Sequence, residues 1–194
     1  MKKALLLTSL LIIGFNSGCT PPITVQNTTR NHQTVSQPSP APIPVTSGSV
    51  HQLHTVQGPI ITIGERSNGF IFPQYQGKVV LLQIFGKECP YCFEEMPIIN
   101  NLRTKYGQRL QVVAIQAQEP MSKATASNLI NKFQMHYPII EGSNASELLF
   151  FMKETYGWNG ILPYTLIIKN GVTEYSFKGK TEQQELDESI ASLI

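Results

Sequence analysis

Val79-Val80-Leu81-Leu82-Gln83-Ile84-Phe85-Gly86-Lys87-Glu88-Cys89-Pro90-Tyr91-Cys92 decides how this chain folds. Its first half is apolar and continuous rather than alternating, the pattern of a strand buried on both faces of an α/β sheet. Gly86-Lys87-Glu88 ends the run. The segment from Pro90 to Tyr106 then reads as a helix closed by Gly107. Strand, short loop and helix together mount two thiols three positions apart. Cys89 falls at the helix N-terminus, where unpaired backbone N–H groups and the positive dipole end favour a thiolate. Pro90 suits the first turn, because the N–H it lacks would have no partner there. Cys92 faces the same side one turn later and can close a disulfide. The arrangement predicts a redox dithiol in which Cys89 attacks and Cys92 resolves.

Blander readings of the same motif fit less well. A structural zinc site needs two further ligands, but the folded region holds no third cysteine and His136 stands alone in it. A purely structural disulfide across so short a loop constrains the unfolded chain little. The expected metal complement is therefore none, and the redox group is the Cys89–Cys92 pair itself.

The chain has 194 residues, which suits one domain with extensions. Its formal net charge of +2 equals the contribution of Lys2 and Lys3. Nothing in that balance points to a nucleic-acid footprint or a polybasic membrane patch. The three cysteines are an odd number, and the N-terminus accounts for it. Met1-Lys2-Lys3 is positive, and Ala4 to Phe15 is an apolar stretch too short for a comfortable membrane span. Ser17-Gly18 precede Cys19. This start resembles a bacterial lipoprotein signal peptide covering residues 1–18, with Cys19 as the lipidated residue. It departs at Asn16, where an aliphatic residue is usual. The resemblance implies a membrane-anchored, extracytoplasmic and periplasmic protein, in a compartment where disulfides persist. Thr20 is not the Asp that often marks inner-membrane retention, and the choice of membrane stays open.

Residues 20–57 lack Asp, Glu and aromatic side chains and are rich in Pro, Ser, Thr, Gln and Asn. Such a composition predicts a disordered tether over 19–57, with an end-to-end distance of about 35 Å. His51 and His54 read as solvated residues of that tether. The folded domain is expected over 58–194. Pro59 to Ile63 and Phe70 to Phe72 read as strands about an Asn68-Gly69 turn. Leu110 to Ile115 reads as a second buried strand. Ser122 to Phe133 is a helix with Ser122 as N-cap, Tyr137 to Ile140 is short and extended, and Ser146 to Tyr156 is a helix closed by Gly157. Asn170-Gly171 is a hairpin turn between Tyr164–Ile168 and Val172–Phe177. Thr181-Glu182-Gln183-Gln184 reads as a capping box. It opens a last helix with Leu186, Ile190, Leu193 and Ile194 on one face. The order predicts an α/β domain with a mixed four- to five-stranded sheet flanked by helices.

Over residues 58–194 the chain resembles the thioredoxin-like family, and within it the anchored TlpA/ResA-type thiol–disulfide oxidoreductases. Phe85 to Cys92 stands where that family has its strand end, short loop and dithiol. Cys89 to Pro97 fits its C-x-x-C-x-x-E-x-P pattern. The resemblance implies that Glu95 lies near the dithiol and assists its proton chemistry, and that Pro97 kinks the helix. Tyr156-Gly157-Trp158-Asn159-Gly160-Ile161-Leu162-Pro163 resembles the family's Tyr-Gly-Val-x-Gly-x-Pro segment. It implies a cis bond before Pro163, packed against the dithiol. Backbone groups of Leu162 would then pair with a substrate peptide. Two positions depart from the family. Glu88 replaces the usual Trp before the first cysteine, and its charge disfavours the thiolate while Lys87 acts in the opposite sense. Leu162 replaces the usual Thr or Val.

The leading expectation is an extracytoplasmic enzyme that reduces disulfides of exported client proteins. The resemblance implies apocytochrome c among the clients and a CcdA/DsbD-type membrane protein as electron donor. Two alternatives stay open from the residues: a disulfide-forming oxidase of the same fold, and a Cu(I)-handling binding module using the dithiol as a soft ligand.

Overall fold

The computed structural model describes residues 47–194. The expected signal peptide over 1–18, the expected lipidation at Cys19 and the expected tether up to residue 46 lie outside the described residues. Twelve elements follow in order: β1 (Ser47–His54), β2 (Ile60–Arg66), β3 (Gly69–Ile71), β4 (Val79–Phe85), α1 (Pro90–Tyr106), β5 (Leu110–Gln116), α2 (Lys123–Phe133), β6 (Ile139–Glu141), α3 (Ser146–Tyr156), β7 (Tyr164–Lys169), β8 (Val172–Lys178) and α4 (Gln183–Ala191). The expected α/β architecture is present. Strands β6-β5-β4-β7-β8 form one five-stranded mixed sheet. β4 lies at its centre, parallel to β5 and antiparallel to β7.

All seven residues of β4 are buried, as its unbroken apolar run requires. Alternate side chains enter two different cores. Val79, Leu81 and Phe85 join Met96, Ile99 and Leu102 of α1 and Leu186 and Ile190 of α4. Val80, Leu82 and Ile84 join Leu148 and Met152 of α3 on the other face. That second core also takes Leu53, Ile61, Ile63 and Phe70 from a separate antiparallel sheet, β1-β2-β3. The expected early strands thus belong to a second sheet rather than to the main one.

Three expectations need correction. The tether was placed over 19–57 and the domain start at 58, but residues 47–54 form β1, paired with β2 along its length. The reason is alternation: His51, Leu53 and Thr55 point inward while Val50, Gln52 and His54 are exposed. His51 is therefore no solvated linker residue. It is buried, with Nε2 2.8 Å from Glu65 Oε1. The capping box is the second correction. α4 starts at Gln183 with Glu182 as N-cap and no side-chain cap bond, because the Thr181 backbone is engaged elsewhere. Third, α4 ends at Ala191, so Leu186 and Ile190 are buried but Ile194 is 36% exposed. The other helix ends agree with the sequence: Ser122 Oγ accepts from Thr125 N at 3.0 Å, and Gly157 closes α3 with a left-handed φ of 63°.

Removing β1 tests the corrected boundary. A chain beginning at Gly58 should unfold more easily than one beginning at Ser47. Burial of Leu53 alone is worth about 2 kcal/mol, and β2 would also lose one of its two partner strands. Urea unfolding followed by Trp158 fluorescence measures the difference; coincident curves would mean that β1 contributes nothing.

Candidate active site

The site grows from the C-terminal end of β4. Phe85 ends the strand, and Gly86, Lys87 and Glu88 turn the chain into α1. Cys89 is the N-cap of α1 in extended conformation, and its Sγ accepts from Cys92 N at 3.2 Å. A sulfur thus takes the place usually held by a capping oxygen, on one of the orphan N–H groups of the first turn. Cys89 and Cys92 form a disulfide, with Cα atoms 5.2 Å apart. Cys89 is 7% exposed and Cys92 fully buried, so Cys89 is the sulfur nearer to solvent.

The turn is braced from the β5 side. Gln118 Oε1 accepts from Glu88 N at 2.9 Å, and Gln118 N donates in turn to Gln116 Oε1. A Cβ on Gly86 would fall 2.5 Å from the Gln118 amide, so any other residue there would displace the brace. Glu88 itself is exposed, so its charge acts on Cys89 through a solvent-screened boundary. Lys87 Nζ reaches Pro120 O at 3.4 Å. Beside the cysteines, Tyr91 is exposed and Phe93 stacks on Phe133 of α2 at 4.9 Å between ring centres.

Glu95 lies one turn beyond Cys92 and is fully buried. Its Oε2 accepts from Gln83 Nε2 at 2.7 Å and from Thr165 Oγ1 at 3.2 Å. Its Oε1 accepts from Thr181 N at 3.1 Å. Gln83 and Thr165 are directly opposed on β4 and β7. Burial pushes the Glu95 carboxyl above the ordinary carboxylate range, against the opposing pull of Gln83, Thr181, Thr165 and the Lys180 charge. Pro97 lies inside α1 and lacks an N–H for the Phe93 carbonyl.

The segment before β7 carries the other expected residues. The Leu162–Pro163 peptide bond is cis. Leu162 packs against the core that holds the dithiol and also against the opposite one. Pro163 is buried, and its carbonyl accepts from Gly179 N at 2.9 Å. Trp158 has a packing role: it rests on the α3-side core and donates from Nε1 to Ile161 O at 3.0 Å. His136 is exposed in a loop. Sequence reasoning singled out Glu95 but missed Gln83, Thr165 and Thr181 around it. The signal for Gln83 was present: a lone amide inside an apolar buried strand. Thr181 contributes a backbone N–H, which no side-chain pattern announces.

The family model for Redoxin matches residues 62–192, well over half of the chain. The chain belongs to the Redoxin family. It is similar to the thiol-disulfide oxidoreductase ResA of Bacillus thuringiensis, at 26% identity over 120 residues, which cover 61% of this chain and 65% of that protein. The chain thus spans just under two thirds of that relative's length. Among solved structures, a thioredoxin family thiol:disulfide interchange protein from Chlorobium tepidum aligns with a TM-score of 0.58 at 18% identity, covering 79% of this chain and 99% of that one. StoA from Bacillus subtilis aligns at 0.53 and 18%, covering 73% and 96%. These likenesses establish the thioredoxin-like fold. Cys89 and Cys92, joined as a disulfide at the start of α1, form a two-electron dithiol–disulfide couple.

The raised Glu95 carboxyl makes stability depend on pH. The folded chain holds this proton more tightly than the unfolded chain does. Its contribution is therefore complete below the ordinary carboxylate range and shrinks as pH rises through the folded midpoint. Glu95→Gln cannot titrate there. In urea unfolding between about pH 4 and 8, wild type should lose stability relative to Glu95→Gln as pH rises. Parallel curves would put the Glu95 proton in the ordinary range.

Proposed function

We propose that this chain is an extracytoplasmic protein thiol–disulfide oxidoreductase that reduces disulfides in exported client proteins. The observation that carries this reading is the Cys89–Cys92 disulfide at the N-terminus of α1, with Cys89 the more accessible sulfur and Cys92 behind it. In the reduced enzyme, the Cys89 thiolate attacks one sulfur of a client disulfide. The client S–S bond breaks, a Cys89–client S–S bond forms, and the second client sulfur leaves as a thiolate. Cys92 then gives up its proton, for which Glu95 one turn away is the acceptor, and attacks Cys89 Sγ. The client leaves with two thiols, and the enzyme is left with the Cys89–Cys92 disulfide. Two electrons and two protons restore the dithiol.

The electron source would be a membrane dithiol carrier of the CcdA/DsbD type, and apocytochrome c is a candidate client. Both come from the resemblance to ResA-type proteins. Leu162 and Pro163 would line the client's path to Cys89. The N-terminal reading supplies the location: cleavage before Cys19 and a lipid on it would hold the domain at a membrane outside the cytoplasm.

Cys92→Ser should stall as mixed disulfides through Cys89, visible as thiol-sensitive high-mass bands whose partners mass spectrometry identifies. Cys89→Ser should trap nothing. The opposite result would reverse the two roles. Direction is read from the reduction potential. A strongly reducing couple is expected, and a value near about −120 mV would mark an oxidant instead. Cys19→Ser should abolish labelling by radioactive palmitate and release the protein from membranes; continued labelling would discard the anchor.

A further inference from the structure

We propose that Gln83 is a positioning residue for the Glu95 proton. Its side-chain amide turns over with the state of the carboxyl group: Nε2 donates to Oε2 in one state, and Oε1 accepts the Oε2 proton in the other. This deepens the exchange reading above and rests on it for its purpose, though not for its geometry.

The two carboxyl oxygens face different kinds of partner. Oε1 meets the Thr181 backbone N–H at 3.1 Å, which can only donate. A proton on Oε1 would leave that N–H facing another donor. Oε2 meets the Gln83 amide and the Thr165 hydroxyl, at 2.7 and 3.2 Å. Each of these carries both a donor and an acceptor and can exchange them by rotation. The proton therefore belongs on Oε2.

Gln83 is the nearer partner, and its amide can turn. It is fully buried, and its Oε1 has no hydrogen-bond partner among the described residues. An ionised carboxylate requires Nε2 toward Oε2, the orientation observed. A protonated carboxyl presents O–H to the same atom and requires an acceptor. Half a turn of the Gln83 amide supplies Oε1 without moving β4. Nothing among the described residues ties Oε1 against the turn, which exchanges one unpaired buried group for another and gains the bond from the carboxyl proton.

The charged and titratable groups around Glu95 come from several elements. Lys180, on the loop into α4, attracts its anion and is itself paired with Glu94 at 3.0 Å. The buried Tyr137 hydroxyl, just before β6, feels the Glu95 charge. On α1, Cys89 and Cys92 are joined and do not titrate in the disulfide form. Burial favours the protonated form of Glu95. The step moves one proton and no electrons. Oε2 gains an O–H bond, the proton coming from solvent in a titration and from the Cys92 thiol in the exchange cycle.

Nuclear magnetic resonance on the disulfide form tests this without any client. In wild type, the Gln83 side-chain NH2 resonances should shift with the same midpoint as the Glu95 carboxyl carbon. Glu95→Gln must keep a carbonyl toward Thr181 N, so it presents an amide N–H to Gln83. Gln83 should then hold its low-pH resonance position at every pH. Gln83→Met, close in size but without a donor, should raise the Glu95 proton affinity about tenfold, and Thr165→Val should raise it less. Gln83 resonances that stay flat through the Glu95 titration would overturn the proposal. So would a Glu95→Gln chain whose Gln83 resonances sit at the high-pH position. If Gln83→Met does not fold, the wild-type titration and the Glu95→Gln spectrum still decide. An empty Cys92→Ser trap would sink the exchange function and leave these results standing.

Discussion

The buried carboxyl of Glu95 is the constraint on which the rest of the site depends. Taking an ionisable group out of water costs several kcal/mol unless it is satisfied. Here the satisfaction comes from three separate places: Gln83 on β4, Thr165 on β7 and the Thr181 backbone ahead of α4. Each donor must therefore stay where Glu95 needs it. That requirement fixes the approach of α1 to the two central strands and pins the entry to α4. The first turn of the same helix carries Cys89 and Cys92, so the anchor that holds Glu95 also orients the dithiol. Packing of Met96, Ile99 and Leu102 holds the helix against the sheet, but apolar contact is non-directional. The three hydrogen bonds supply the direction.

Polar side chains also shape the loops at the C-terminal ends of the parallel strands, where sites in α/β sheets gather. Gln116 is fully buried at the end of β5, donating to Glu119 O and accepting from Gln118 N. Gln118 in turn holds Glu88 N, one residue before Cys89. The dithiol loop is thus set by a relay of two glutamines, Gln116 at the end of the neighbouring strand and Gln118 in the loop after it. A Cβ at Gly86 would push the Gln118 amide away from the Glu88 N–H. Glu88 can replace a large aromatic residue there because its backbone N–H, not its side chain, is what the relay holds.

The main sheet and its helices were legible because each carried its own local signal. β4 and β5 are unbroken apolar runs, Asn170-Gly171 marks the β7–β8 hairpin, and Ser122, Gly107 and Gly157 mark helix ends. β1 was not legible because its inward residues include His51, with Thr55 buried just beyond it, while Val50 points to solvent at 68% exposure. Composition read that segment as tether. Only the period of two, together with Glu65 across the sheet to receive His51, makes it a strand. The capping box failed for a related reason. Thr181 has the right residue type locally, but a carboxylate 86 residues away in sequence claims its backbone N–H. The cysteines, Glu95 and the cis Leu162–Pro163 bond were visible from motif and resemblance. The partners of Glu95 were not, because they come from strands remote in sequence.

The pairing of β1 also decides which end of the sheet its first residue occupies. Ser47 pairs with Arg66, whose side chain reaches Gly171 in the β7–β8 turn. That turn lies beside Val79, the first residue of β4, because Val79 pairs with Lys169. The dithiol follows Phe85, the last residue of β4. Ser47 and Cys89 are therefore at opposite ends of a seven-residue strand, about 20 Å apart along its axis. β1 then runs toward the dithiol end, where Thr55 bridges Ile140. The antiparallel pairing of β1 with β2 thus fixes more than a core contact, since it places Ser47 at the end of the sheet away from the cysteines.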